Sequence, residues 1–156
     1  MGLLFGQVGG AKESIKNMDT LQRFLEAQNR DYEVALRELT AGKKLSHWMW
    51  YIFPQLRGLG QSEYAVFYGI DGMQEAKMYL VHTVLRERLT ACCKAILLHK
   101  DKTAMAILGD IDAMKLKSSM TLFALACGER KSIFYQVLQQ FYDGKMDKRT
   151  QELLIL

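Results

Sequence analysis

The side chains best suited to chemistry lie together in residues 46–55. This segment holds both tryptophans, the only proline and one of the three histidines of the 156-residue chain. The imidazole of His47 could act as a general acid or base, or bind a polar group of a ligand. It could equally bond to a backbone group and fix a turn. The segment therefore predicts either a functional site or a turn on which the core depends.

The aromatic side chains of this segment could form a stacking wall for a flat ring. On a helix, Trp50 and Phe53 would share a face, whereas Trp48 would point elsewhere. The alternative, which we favour, is that at least two of these three rings belong to the hydrophobic core. Gln55 follows the proline, where its amide could bind a ligand or cap the end of a helix.

A second polar cluster consists of Lys115, Ser118, Ser119 and Thr121. We expect a helix to begin at Ser118 or Ser119, because serine is a preferred helix N-cap. Unpaired backbone N–H groups at such a start attract phosphate or carboxylate, and the Lys115 ammonium would add a charge. The alternative is ordinary N-capping beside a solvated lysine. If both polar clusters serve one site, His47 or Gln55 should line a cavity with one of the two serines.

The bulk properties of the chain argue against several functional classes. The net charge is 21 − 17 = +4 and no run of Lys and Arg exceeds two, so we expect no dedicated nucleic-acid binding. The three cysteines, Cys92, Cys93 and Cys127, are odd in number and show no zinc-site spacing, which predicts free thiols in a reducing compartment and no metal site. We also expect no cofactor. No segment has the roughly 20 apolar residues that span a bilayer. We therefore expect a cytoplasmic protein.

The elements that position these residues are predicted to be helices. One proline and nine methionines favour an all-α fold, although residues 64–68 could also form a strand. We expect a flexible N-terminal arm over residues 1–18 and a compact multi-helical single domain with short connections over residues 19–156. The longest helix is expected to start at Thr83. The predicted helix starts are Asp19, Asp31, Ser46, Ser62, Asp71, Thr83, Thr103, Asp110, Ser118 or Ser119, Ser132 and Asp147.

Several motifs of this chain together resemble the domain-of-unknown-function 1810 (DUF1810) family. The resemblance extends over roughly residues 19–154 and implies a compact all-helical domain of mostly bacterial distribution, some members of which are labelled calpastatin. It implies no established substrate, cofactor or catalytic residue. The chain departs from the family at His82-Thr83, where a relative would usually show His-Pro. The matching motifs are residues 47–55, residues 58–60 with Ser62, Glu75-Ala76 with Tyr79-Leu80, and Lys115-Leu116 with residues 118–123.

Two classes of function are compatible with these observations. The first is a pocket for an anionic small molecule, such as a phosphorylated or nucleotide-like ligand, with His47 as the candidate proton shuttle of any reaction. The second is a non-enzymatic protein-interaction or regulatory domain. Whether the chain is an enzyme and how it oligomerises stay open. The candidate ligand-binding residues are Trp48, Trp50, Gln55, Ser62, Lys115, Ser118, Ser119 and Thr121.

Overall fold

The protein is built from helices that pack around one central helix. The computed structural model describes the backbone of residues 2–155 and the side chains of residues 20–155. Within these residues the only β-type pairing is an isolated parallel bridge between Leu56 and Ile70, so the predicted all-α class is confirmed. The helices are α1 (Gly2–Ala41), α2 (Met49–Ile52), α3 (Glu63–Phe67), α4 (Met73–Val81), α5 (Thr83–Leu97), α6 (Ala104–Leu108), α7 (Asp110–Cys127), α8 (Ile133–Tyr142) and α9 (Lys148–Ile155).

Helix α1 is continuous through both positions where new helices were predicted to start. The starts at Asp19 and Asp31 are wrong, because no glycine or proline interrupts the chain between them and the end of the helix. Gly42 follows the last residue of α1 in a left-handed conformation with φ +81°, which glycine adopts at little cost. Residues 2–18 have a helical backbone, but the side chains of residues 1–19 lie outside the described residues. The arm over 1–18 and the domain over 19–156 therefore stay predictions.

Most of the short helices start where a capping side chain was predicted. Ser62, Thr103, Ser132 and Asp147 each accept a hydrogen bond from the backbone N–H three residues later. Residues 64–68 belong mainly to α3, so the strand alternative is wrong.

Two predicted caps differ in the structure. Helix α5 does begin at Thr83, but His82 caps it through ring Nδ1, which accepts from Leu85 N at 3.3 Å. Asp71 does not cap α4. The N-cap residue is Gly72, and the Asp71 backbone N–H donates to the Glu75 carboxylate at 3.1 Å.

The two helices predicted to meet at Ser118 form the single helix α7. The predicted start at Ser118 or Ser119 is therefore wrong. Helix α7 has 18 residues and α5 has 15, so the prediction that α5 is the longest helix is wrong as well. Helix α7 packs against α4, α6, α8 and α9. A helix enclosed on several sides can be apolar almost all round, and such a sequence does not show where one helix would stop and another begin.

A chain of buried aromatic rings connects four helices across the core. The ring centroids of Phe24 and Tyr79 are 5.2 Å apart, and those of Tyr79 and Phe123 are 5.1 Å apart. Phe134 continues the chain at 5.8 Å from Phe123. These contacts join α1, α4, α7 and α8, and they place α7 at the centre of the core.

The three cysteines are free in the structure. Cys92 and Cys93 are buried, and burial raises the pKa of the Cys92 thiol to about 12 and that of Cys93 well above its usual value. Cys127 is half-buried. Among the described residues, none of the helices is long and apolar enough to cross a membrane, and His, Cys, Asp and Glu form no group of three that could hold a metal ion.

Candidate functional site

The carboxylate of Glu38 organises the turn that leads from α1 to α2. It accepts hydrogen bonds from the backbone N–H groups of Leu45 at 2.7 Å and Ser46 at 2.9 Å. It also accepts from the Ser46 hydroxyl at 2.6 Å and the Trp48 indole at 3.0 Å. Ser46 therefore does not cap α2 as predicted, because its hydroxyl is directed to Glu38 and Trp48 occupies the N-cap position.

These hydrogen bonds keep Glu38 charged inside the protein. The residue is only 7% exposed, and burial alone would raise its pKa. The hydrogen bonds from Ser46, Leu45 and Trp48 outweigh that effect and lower the pKa of Glu38 from 4.5 to about 2. A charged carboxylate thus holds the residues on either side of His47 in place.

Two of the three aromatic rings near His47 belong to the core. Trp48 and Phe53 are each 1% exposed, so the interpretation that at least two of these rings are core residues is confirmed. As a ligand-binding residue Trp48 is a wrong prediction, because its ring is enclosed by protein and its N–H is bonded to Glu38. Trp50 is the ring of this segment that is left for a ligand, since it is half-buried.

Trp50 lies between α3 and α7. The Tyr64 ring meets it edge-on, with centroids 5.0 Å apart, and the Lys115 ammonium lies 5.1 Å from its ring centroid. The indole N–H of Trp50 is buried and has no hydrogen-bond partner among the residues whose side chains the structure describes. A buried donor without a partner costs free energy, and in a native protein such a group calls for an explanation, for example a bound water, ion or ligand.

A cleft of about 500 Å³ opens beside Trp50, between the 44–50 segment and the junction of α6 and α7. Its volume lies within the usual range for small-molecule sites. Exposed His47 stands on one side of it, and the first turn of α7 stands on the other. The lining residues are Lys44, His47, Met49, Trp50, Leu108, Gly109, Asp110, Ile111 and Asp112.

Charged groups of both signs meet at this cleft. The Asp112 carboxylate lies 2.9 Å from the Lys44 ammonium and 3.9 Å from that of Lys115. Two cations therefore share one anion, and Asp110 supplies a second carboxylate. The N-cap residue of α7 is Gly109, which has no side chain to cap the first turn. The start of α7 that faces the site is thus eight residues before Ser118.

The structure brings together only part of the predicted single cavity. His47, Trp50 and the region of Lys115 meet, but the lining of the cleft includes neither Gln55 nor the two serines, so the predicted pairing is wrong. The physical reason is that the serines lie inside α7, where backbone N–H groups are already paired. Ser118 donates to the Met114 carbonyl at 3.2 Å, and Ser119 is fully buried with a hydroxyl that has no partner among the described side chains and backbone.

Thr121, Gln55 and Ser62 have structural contacts of their own. Thr121 is fully buried, donates to the Lys117 carbonyl and accepts from Asp147 N, both at 2.8 Å, which ties α7 to the start of α9. Ser62 caps α3, the helix that carries Tyr64. Gln55 is half-buried, and its backbone carbonyl accepts a hydrogen bond from Ile70 N at 2.9 Å.

Sequence reasoning missed four residues of this site, which are Glu38, Lys44, Tyr64 and Asp112. Glu38 carried a usable signal, because it sits beside Leu39 and three residues after Ala35, on the apolar stripe of α1. A carboxylate on such a stripe needs buried partners. Lys44 and Asp112 carried none, since the ion pair joins residues far apart in the chain.

Comparisons with family models and with solved structures agree with this fold, whereas a comparison with curated proteins finds no match. The crystal structure of the conserved hypothetical protein Rv1873 from Mycobacterium tuberculosis is similar, with a TM-score of 0.84 and 44% sequence identity over 87% of this chain and 96% of that chain. A family model described as "Protein of unknown function (DUF1810)" matches residues 18–154. Since that match covers most of the sequence, this chain belongs to the DUF1810 family.

Proposed function

We propose that this protein binds a small anionic ligand with a flat ring in the cleft beside Trp50. The observation that carries the proposal is the Trp50 indole, whose buried N–H has no partner within the described part of the chain and whose ring lies under the Lys115 ammonium. A nucleotide or another phosphorylated ring compound combines the two features that this arrangement would recognise. The ring would pack on aromatic surface, and the anionic group would lie near the ammonium groups.

The charges of the cleft set the expected strength of binding. Lys44 and Lys115 balance the carboxylates of Asp110 and Asp112, so the site has little net charge when His47 is neutral. A ligand phosphate must therefore compete with Asp112 for the two ammonium groups. We expect dissociation constants in the micromolar range or weaker, with shape and stacking contributing as much as charge.

His47 is the imidazole that lines the cleft and is exposed to solvent. If the bound ligand undergoes hydrolysis or group transfer, this side chain is placed to move a proton. His82 has its ring Nδ1 engaged in capping α5, and a ring nitrogen of His99 is hydrogen-bonded to the Leu39 carbonyl at 2.7 Å. His47 is therefore our candidate catalytic residue.

Thermal unfolding and isothermal titration with AMP, ADP, ribose 5-phosphate and sulfate would test the proposal. A ligand at a hundredfold excess over its dissociation constant should stabilise the protein by about 2.7 kcal/mol. Lys115→Met should weaken binding of AMP about tenfold, equivalent to about 1.4 kcal/mol. Lys117→Met is the matched control and should bind normally, because Lys117 is on the same helix but, unlike Lys115, neither lies over the Trp50 ring nor pairs with Asp112. Equal loss of binding in Lys115→Met and Lys117→Met would overturn the proposal. So would the absence of binding to the parent protein.

A second candidate function, a protein-interaction domain, is favoured by the apolar side chains near the cleft. Leu45, Ile111 and Met114 are 74%, 71% and 72% exposed, and each is close in sequence to a charged residue of the site. Exposed apolar groups around a shallow cleft can bind another chain. Leu45→Ser with Met114→Ser, neither of which lines the cleft, should then abolish partner binding and leave AMP binding unchanged. A cytoplasmic location is part of both candidates and is supported by the free cysteines.

A further inference from the structure

A second concave surface lies away from the cleft, where α5 packs against α8. Two adjoining depressions of about 650 and 840 Å³ form it, and they share Lys100 and Gln136. We call this the α5–α8 surface. The side chains that carry the argument are Lys94, Lys100, Arg130, Lys131, Tyr135 and Gln136.

The α5–α8 surface concentrates positive charge. All four of its cations are exposed, and neither depression is lined by an aspartate or glutamate. Among the side chains that the structure describes, none of these four forms an ion pair, in contrast to Lys44 and Lys115. The nearest acids in sequence are Asp101 and Glu129, and neither lines either depression. An excess of four equals the formal net charge of the whole chain, +4, so the remaining charges balance.

The start of α8 adds to this positive potential. Arg130 and Lys131 immediately precede Ser132, which caps the helix by accepting from Tyr135 N at 3.3 Å. The first turn of α8 contains no acidic residue. Cations at a helix N-terminus lie at the wrong end of the helix dipole. A bound anion would relieve that repulsion, so the arrangement is suited to an anionic partner.

The remaining lining residues are of the types with which proteins bind single-stranded nucleic acid. The amide of Gln136 is exposed and can both donate and accept, and the Tyr135 ring is half-buried beside the cations. The residues of α5 that line the surface extend from Thr90 to Leu97, a rise of roughly 10 Å along the helix axis. That length exceeds what a single phosphate needs. An anionic membrane is the weaker match, because Leu98 is the one largely exposed apolar side chain among these lining residues.

We propose that the α5–α8 surface binds single-stranded nucleic acid through its phosphates, with little dependence on base sequence. Lys94, Lys100, Arg130 and Lys131 would contact phosphates, and Tyr135 would stack on a base. The low net charge of the chain led us to expect no dedicated nucleic-acid binding. Net charge averages over the molecule, however, and so does not reveal cations that are gathered on one surface. This proposal is independent of the ligand cleft beside Trp50.

Fluorescence anisotropy with labelled single-stranded DNA and RNA 12-mers of mixed sequence would test the proposal. Four phosphate contacts predict that log K falls with log salt with a slope of about −2.8. Binding should therefore weaken about 50-fold between 50 and 200 mM NaCl. Lys100→Gln together with Arg130→Gln and Lys131→Gln should reduce the slope to about −0.7.

The matched control is Arg37→Gln with Lys43→Gln and Lys148→Gln, which removes the same charge from exposed residues outside the surface. This control should keep the parent slope and affinity. Lys100→Gln alone, which should reduce the slope by about 0.7, serves if the triple variant unfolds by circular dichroism. Absence of binding at 50 mM NaCl, or equal losses in both triple variants, would overturn the proposal. So would binding to vesicles of phosphatidylcholine with 20% phosphatidylserine without binding to either oligonucleotide.

Discussion

Replacing Glu38 by glutamine tests how the turn that carries His47 is held. The carboxylate accepts four hydrogen bonds, and these lower its pKa from 4.5 to about 2. Because the folded pKa lies below the unfolded one, the carboxylate stabilises the protein above pH 4.5, and the stabilisation is lost as the pH falls towards 2. The full difference in pKa corresponds to at most about 3 kcal/mol at pH 7, of which about 2 kcal/mol is gone at pH 3.

The glutamine amide keeps one acceptor oxygen, but it cannot accept four hydrogen bonds as the Glu38 carboxylate does. We therefore expect the Glu38→Gln protein to unfold more easily at pH 7. The loss relative to the parent protein should be about 2 kcal/mol smaller at pH 3, where the parent has lost most of the same stabilisation. Urea unfolding at the two pH values measures this difference. Glu26→Gln, an exposed change on the same helix, should cost less than about 0.5 kcal/mol at both pH values. A loss for Glu38→Gln that is equal at pH 7 and pH 3 would refute the reasoning.

Two further predictions concern stability and thiol reactivity. Arg23→Met should cost about 3–5 kcal/mol in urea unfolding, because Arg23 forms a buried pair with Glu75 at 2.8 Å and its removal leaves that carboxylate uncompensated. The control is Arg57→Met, whose pair with Asp71 is exposed and should cost less than about 1 kcal/mol; equal losses would show that burial of the pair is irrelevant. In the native protein, a maleimide should label Cys127 well before Cys92 and Cys93, whose thiol pKa values are raised by burial, and mass spectrometry at timed intervals would read this order. Simultaneous labelling of all three would contradict the burial of the adjacent pair.

Local chemistry predicted the starts of most short helices and failed inside the long helices α1 and α7. Ser62, Thr103 and Ser132 cap their helices because the hydroxyl and the N–H that it accepts from are three residues apart, a contact that the sequence itself defines. The same reasoning failed at Ser118. A serine inside an apolar helix looks like a helix start until the neighbouring helices are known, and only those neighbours make α7 continuous.

The candidate site was predictable only from its central segment. The rare residues at 46–55 pointed to His47 and Trp50, and both line the cleft. The residues that complete the site come from other helices. Lys44 meets Asp112, and Trp50 meets Tyr64, through packing between elements whose relative placement no spacing rule gives. Trp48 was predicted as a ligand-binding residue from the same aromatic segment, but the structure places it in the core.

The central claim, that the Trp50 indole is the ligand-recognition group, is tested most directly by NMR. The two tryptophan side-chain N–H signals of ¹⁵N-labelled protein can be assigned with Trp50→Phe. During titration with AMP, GMP, CMP, UMP and ribose 5-phosphate, we predict that the Trp50 signal shifts and saturates with at least one ligand. The Trp48 signal should stay fixed, since its N–H is bonded to Glu38 in the core. The shift should weaken about tenfold in apparent affinity in Lys115→Met. If the Trp50 signal stays unchanged with all five compounds, or moves identically in Lys115→Met, the claim is contradicted.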